Sequence, residues 1–280
     1  MTVNRHATLQ DLIRHYPVRP AWHLQLVQQE LNGGKTSAAE LDDLLGPRPG
    51  ATALTVSGLD QKAFEHFVRR WGAQFTALYF FKCPRIVDLA PLEQLPGLTQ
   101  VAFFWNQKAT RFWDFSKTPA LRGLHADDFK RLSDLSDLSG ATSLEELAFG
   151  GPRVDSLAPL ASLQGLRRLS LATAPDERRV TPLAQLGDLE TLFLPTGVFV
   201  TEQLAWLRAR LPDVQCSAME AFLRLQSPFK KGDKTIDVLV SGKGKPFLSS
   251  SADAARLARY SESFAQLVTA FHAETMPEPA

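Results

Sequence analysis

The tightest cluster of residues able to do chemistry is His125-Ala126-Asp127-Asp128, an imidazole beside two carboxylates. Such a group could hold a divalent metal or move a proton in acid–base catalysis. In an extended segment His125 and Asp127 share a face, because side chains alternate along a strand. A metal would still need further ligands from neighbouring segments, and no other histidine falls in a matching place. A solvated or partner-contacting pair is the simpler reading. A second cluster, Gly242-Lys243-Gly244-Lys245, is basic and flexible enough to meet a phosphate, but a lone Gly-x-Gly reads first as a hairpin turn. Cys83 and Cys216 are too few for a disulfide framework and are expected as free thiols. Nucleophile-elbow, Walker, His-Glu-x-x-His and Cys-x-x-Cys patterns do not occur. The chain is therefore expected to be no enzyme, with no catalytic residue, no metal and no cofactor.

Charge and hydropathy narrow the class further. The 280 residues carry 31 Lys and Arg against 30 Asp and Glu, a formal net charge of +1. That balance argues against a dedicated binder of nucleic acid or acidic membrane, so no nucleic-acid or membrane partner is expected. No apolar run approaches the roughly 18 residues of a membrane span. Neither Met1–Asp11 nor Thr275–Ala280 reads as a targeting or lipidation motif, which makes a cytoplasmic location the expectation.

The elements that must position these residues come from a repeat. Leu98, Val101 and Phe103 stand at relative positions 0, 3 and 5. The same spacing starts again at Ala51, Phe75, Leu121, Leu144, Leu166, Leu189 and Leu211, at intervals of 22 to 24 residues. All 24 of these positions are apolar, where a 44% apolar composition would give about 11. The stretches ahead of them also match: Ile86-Val-Asp-Leu89-Ala-Pro-Leu92-Glu-Gln-Leu95 recurs as Val154-Asp-Ser-Leu157-Ala-Pro-Leu160-Ala-Ser-Leu163, and in shorter form from Val180. Apolar residues at every third place, with Pro and Gly between, predict tight 3₁₀-like turns. Residues 59–71 and 201–211 space their apolar residues as helices, with Thr201 as the expected N-cap. Residues 104–120 are irregular and aromatic.

This pattern resembles the leucine-rich repeat family, in its short bacterial, internalin-like form, over roughly residues 51–217. The resemblance implies an α/β solenoid in which each coil adds one strand to a parallel concave sheet that binds a protein partner. At position 8 the family favours Asn or Cys, whose side chain caps the turn. Cys83 and Asn106 stand there, whereas Phe129, Pro152, Ala174 and Gly197 depart from the pattern. The signal and surface anchor of internalins have no counterpart in the sequence, so their host-cell role is not implied.

Alternation fixes which residues face outward. Positions 2, 4 and 6 run Ala77, Tyr79 and Phe81; Gln100, Ala102 and Phe104; Gly123, His125 and Asp127; Glu146, Ala148 and Gly150; Arg168, Ser170 and Ala172; then Thr191, Phe193 and Pro195. Exposed aromatics beside charges are what interface hot spots look like. The candidate partner-binding residues are Tyr79, Phe81, Phe104, Trp105, His125, Asp127, Glu146, Arg168 and Phe193. A second reading covers the aromatics from within, by the N-terminal segment or the 104–120 loop.

An open stack needs capped ends. Residues 1–50 read as a helical N-terminal cap. A capping-box variant stands at Thr8–Asp11, with Pro17 and Pro20 after it. An apolar stripe Leu24, Val27, Leu31 stops at Gly33-Gly34, and a capping box at Ser37–Glu40 precedes Leu41, Leu44 and Leu45. Residues 51–217 hold about eight coils. Residues 218–280 read as a small α+β cap, with strands at 221–225 and 235–240, a turn at 242–246 and a short apolar pair at 247–248. A long helix follows, opened at Ser250–Asp253 and striped by Leu257, Tyr260, Phe264, Leu267, Val268 and Phe271. The expected function is a non-enzymatic protein-binding module working through the concave face. The alternative is an inhibitor or immunity-type protein that occludes a single toxin or enzyme.

Overall fold

The structure, a computed structural model, describes residues 8–13, 21–47, 50–151, 153–273 and 278. In chain order these form α1 (Leu9–Ile13), β1 (His23–Leu26), α2 (Ala38–Leu45), β2 (Ala53–Val56), α3 (Gln61–Trp71), β3 (Ala77–Phe81), β4 (Gln100–Asn106), β5 (Gly123–Phe129) and β6 (Glu146–Gly150). They continue as β7 (Arg168–Ala172), α4 (Thr181–Ala184), β8 (Thr191–Phe193), α5 (Thr201–Arg210), β9 (Phe222–Lys231), β10 (Lys234–Val240), β11 (Phe247–Leu248) and α6 (Ala254–Ala273).

Because the apolar spacing is the same in every coil, the strands stack in one register. β1 to β8 lie side by side in sequence order, every pair parallel. Leu54, Leu78, Val101, Leu124, Leu147, Leu169 and Leu192 are successive partners in a single column. All 24 residues at positions 0, 3 and 5 are buried, none more than 8% exposed. Each Leu, Val or Phe among them contributes about 1.5–3 kcal/mol, and no coil could bury its three without a neighbour on either side. The return path is 3₁₀ at Ala90–Gln94, Ser136–Gly140 and Ala158–Ser162, as the three-residue spacing predicts, with Pro91 and Pro159 in the first turn where a missing N–H costs little.

Position 8 changes character along the stack. Asn106 is buried and spends its whole amide on backbone: Nδ2 donates to the carbonyls of Cys83 and Ile86 at 3.5 and 3.0 Å, and Oδ1 accepts from the N–H groups of Lys108 and Ala109 at 2.9 and 2.8 Å. In the next coil Phe129 takes the place and packs on Phe103 and Phe112, with centroids 5.6 and 6.1 Å away. The aromatic segment 104–120 therefore supplies core. Phe112, Trp113 and Phe115 are all buried, with the Trp113 indole N–H donating to Thr118 Oγ1 at 3.0 Å.

The ends depart from expectation in four places. The Leu24, Val27, Leu31 stripe is no helix: residues 23–26 are β1, the first strand of the sheet, and Leu31 is 91% exposed. Leu24 and Leu26 alternate as well as Leu24 and Val27 recur, and pairing with β2 decides between the two periods. The coil starting at Leu211 adds only an isolated bridge between Thr191 and Gln215, so the eighth strand comes from the N-terminal side. Thr201 is the first residue of α5; Val200 is its N-cap, and the Thr201 hydroxyl donates to the Ser241 carbonyl at 2.9 Å. Ser250 does not cap α6: its N–H and hydroxyl donate to Asp237 at 2.7 and 2.6 Å, and the Asp253 carboxylate accepts the Ser249 N–H at 3.0 Å. The two N-terminal caps form as read. Thr8 and Asp11 bond reciprocally, and Ser37 with Glu40 makes a full capping box on α2. Pro17 and Pro20 lie outside the described residues.

At the far end β11, β10 and β9 form a separate antiparallel sheet. Leu257 and Tyr260 of α6 pack on Val238, Val240 and Leu248, while Phe264, Leu267, Val268 and Phe271 reach the solenoid core. One side chain ties the junction. The Arg208 guanidinium donates to the carbonyls of Pro212, Val214, Cys216 and Met219 at 3.0–3.3 Å and to Glu220 Oε1 at 2.7 Å.

Candidate functional site

The concave face is not uniformly open. At its first coils the outward residues are small (Ala53, Ala77 and Ala102), and α1 lies on them with Leu9 and Leu12 buried against all three. An alanine floor leaves a trough about one helix deep, and the two leucines, three apart on α1, fill it. Trp22 and Tyr79 close its sides, half-buried. The covered-aromatic reading thus applies to Tyr79, and the cover is the N-terminal segment rather than the 104–120 loop.

Beyond α1 the floor opens into a groove of about 310 Å³, lined by Gln10 and Ile13 from α1 and by His125, Glu146, Ala148, Arg168, Ser170, Thr191 and Phe193 from β5 to β8. Four of the nine sequence candidates meet here. Glu146 and Arg168, opposite each other across β6 and β7, form an ion pair. Phe193 stands 53% exposed at one wall and Ile13 37% exposed at the other. Burial holds the His125 imidazole below its ordinary pKa, with nearby Asp127 opposing. Sequence reasoning missed the α1 wall, Gln10 and Ile13. The signal for it was the run of alanines at outward positions.

The remaining candidates line the rim where strands end. Phe81 and Phe104 stack with centroids 5.5 Å apart, Tyr79 meets Phe81 edge-on at 5.7 Å, and Lys82 Nζ lies 5.2 Å from the Phe81 ring. Position 7 of four successive coils is left-handed: Gly58, Lys82, Trp105 and Asp128 have φ of 71°, 50°, 62° and 56°. Outside glycine this conformation costs on the order of 1–3 kcal/mol and is found where a fold holds a side chain in a set place. Trp105 and Asp128 stay within β4 and β5, whose pairing resumes at Asn106 and Phe129, so here it breaks the alternation and sets Trp105 at the rim, half-buried.

In the His125 cluster the two carboxylates turn to other partners. Asp127 Oδ1 accepts the Asp128 N–H at 2.9 Å, and the Asp128 carboxylate pairs with Lys130 at 2.5 Å. Among the described residues no three of His, Cys, Asp and Glu come together to hold a metal, and no helix is long and apolar enough to cross a membrane. Gly242 and Gly244 form the turn before β11, both with positive φ. The thiols are shut away. Cys83 is buried beneath the Val56 carbonyl, to which Sγ donates at 3.6 Å, and burial pushes its pKa up to about 12; burial also raises Cys216. Native protein at pH 8 is expected to release no chromophore from a disulfide thiol reagent within minutes, and two equivalents once unfolded. A fast native equivalent would contradict the burial.

No protein-family model matches the chain, and no curated protein does. Among solved structures it is similar to a leucine-rich repeat protein of Leptospira interrogans, at a TM-score of 0.51 and 16% identity over 65% of this chain and 49% of that one. It is similar to an internalin (inlF) of Listeria monocytogenes, at 0.49 and 19% over 66% of this chain and 51% of that one. A third is TLR13 in complex with ssRNA13, at 0.48 and 18% over 69% of this chain and 28% of that one. The chain thus spans about half the length of the first two and less of the third. The likeness is one of fold: the chain is a leucine-rich repeat solenoid with a parallel eight-stranded sheet and a small antiparallel sheet at its C-terminal side.

Proposed function

From this fold we propose that the chain is a non-enzymatic protein-binding module of the bacterial cytoplasm, and that its partner enters the groove between α1 and Phe193. The carrying observation is the groove itself: an exposed aromatic, an aliphatic wall and a Glu146–Arg168 pair around a shallow apolar floor. Interface hot spots combine these features, an aromatic anchor and an arginine inside a rim that excludes water. The near-zero net charge favours a protein of mixed polarity over a polyanion. Phe81, Phe104 and Trp105 extend the surface along the rim as secondary contacts, with Tyr79, covered by α1, backing Phe81 from within.

A photo-crosslinking residue at Thr191, in the groove, and at Gln164, exposed on the return path, tests the assignment in cells. One discrete adduct is expected from position 191 and none from 164. Arg168→Ala with Phe193→Ala is expected to weaken the purified complex at least tenfold, about 1.4 kcal/mol or more. Equal adducts from both positions, or an affinity indifferent to the double substitution, would remove the groove as the contact surface.

A further inference from the structure

On the other side of the solenoid one carboxylate gathers four donors. The N–H groups of Val180 and Thr181 donate to the two oxygens of Glu278 at 2.7 and 2.8 Å, the Thr181 hydroxyl donates at 2.5 Å and the Gln203 amide at 3.0 Å. Gln203 is 5% exposed. Its amide is held nitrogen-first toward the carboxylate: Nε2 also donates to the Arg178 carbonyl at 2.6 Å, while Oε1 accepts the Val200 N–H at 3.3 Å.

The repeat explains why these donors are open. In three other coils the N–H opening the return turn is capped by the side chain two residues earlier. Asp88 accepts from Ala90 at 2.9 Å, Asp134 from Ser136 at 2.8 Å and Ser156 from Ala158 at 3.1 Å. The equivalent residue before Thr181 is Arg179, which has no acceptor. This coil alone of the four must take its acceptor from elsewhere, and it takes a glutamate from about a hundred residues away. A cavity of about 430 Å³ is continuous with the cradle, sharing Gln203 and Glu278 with it and lined further by Arg178, Arg179 and Lys243 against one acid, Glu177, and by Val198 and Val200. Arg179 pairs with Glu177 at 3.2 Å, and among the described residues Arg178 and Lys243 have no ion-pair partner. Glu278 fills the cradle and leaves this basic, partly apolar space unused.

We infer that Val180, Thr181 and Gln203 form a recognition site for the glutamate side chain of an acidic peptide, with Arg178 and Lys243 receiving its flanking carboxylates. Glu278 holds the site in cis, and an incoming peptide displaces it. The site shares no residue with the concave groove, so either assignment can fail without the other.

The test titrates the full chain with a fluorescent peptide of sequence 272–280, and with the same peptide carrying Gln in place of Glu278. Glu278→Ala is expected to bind the first peptide at least tenfold more tightly than wild type. The Gln peptide is expected to bind that variant at least tenfold more weakly, and adding Gln203→Ala to abolish binding. Equal binding by wild type and Glu278→Ala, or equal binding of the two peptides, would overturn the site. Hydrogen exchange reads the same event independently: the Val180 and Thr181 amides are expected to exchange at least tenfold faster in Glu278→Ala and to slow again with peptide, while the sheet stays protected. Unchanged exchange at those two amides would also overturn it. Should the alanine variant lose protection throughout the sheet, Glu278→Gln, which keeps the side-chain volume, decides by the same titration.

Discussion

Arg208→Ala is expected to destabilise the chain by about 3–4 kcal/mol, with the loss starting at residues 211–220. Its guanidinium reaches five backbone carbonyls, Leu211 included at 3.5 Å, and Glu220 from one planar group. Segment 212–220 contributes an isolated bridge at Gln215 in place of a strand, so its carbonyls have few other partners. Truncation strands several acceptors in a place that water reaches poorly, since the Arg208 side chain is only 16% exposed. Each orphaned acceptor costs roughly 1–3 kcal/mol, partly recovered by relaxation. A denaturant midpoint measures the total, and hydrogen exchange locates it: Val214 to Glu220 should open first, then β9 and β10, with β3 to β6 unchanged. Arg208→Lys is expected to recover less than half, because a point-like ammonium cannot span carbonyls on several sides. Wild-type stability in Arg208→Ala would show that the junction is held by packing alone.

Asn106→Ala should cost about 3 kcal/mol, or roughly 6–12 °C in melting temperature. The amide serves two donors and two acceptors in a buried turn, and the Ala109 and Ile86 groups it satisfies have no access to water. Asn106→Asp separates the two halves. It keeps the acceptor for Lys108 and Ala109 but places an oxygen against the Cys83 and Ile86 carbonyls, so it is expected to be no better than alanine. A calorimetric scan checks both, and a loss under 1 kcal/mol in either would refute the two-sided account.

How much of this was legible before the fold can be traced residue by residue. Positions 0, 3 and 5 carried the solenoid, because a buried column tolerates only apolar side chains and every member, from Ala51 to Cys216, is buried. Alternation likewise listed the outward residues, and His125, Glu146, Arg168 and Phe193 do share one groove. Leu24, Val27 and Leu31 misled because three residues fit a helical stripe and a strand alternation alike, and only the partner strand Ala53–Val56 separates them. The seat of α1 was only faintly legible: its five residues show an apolar face without saying which surface it covers, and the outward alanines Ala53, Ala77 and Ala102 are the one mark of the place. Glu278 was opaque for the same reason at longer range, since a missing cap at Arg179 leaves a vacancy whose occupant lies far along the chain.

The α1 clasp has a mechanical consequence. Coils β3 to β5 are held from both sides, by their return turns behind and by α1 across the front, whereas among the described residues β6 to β8 are braced chiefly from behind. Their hinge-like freedom is therefore unequal. A load pulling on the two ends would flex the later coils as a spring against an anchored block, and the groove lies where the stiff half meets the compliant one.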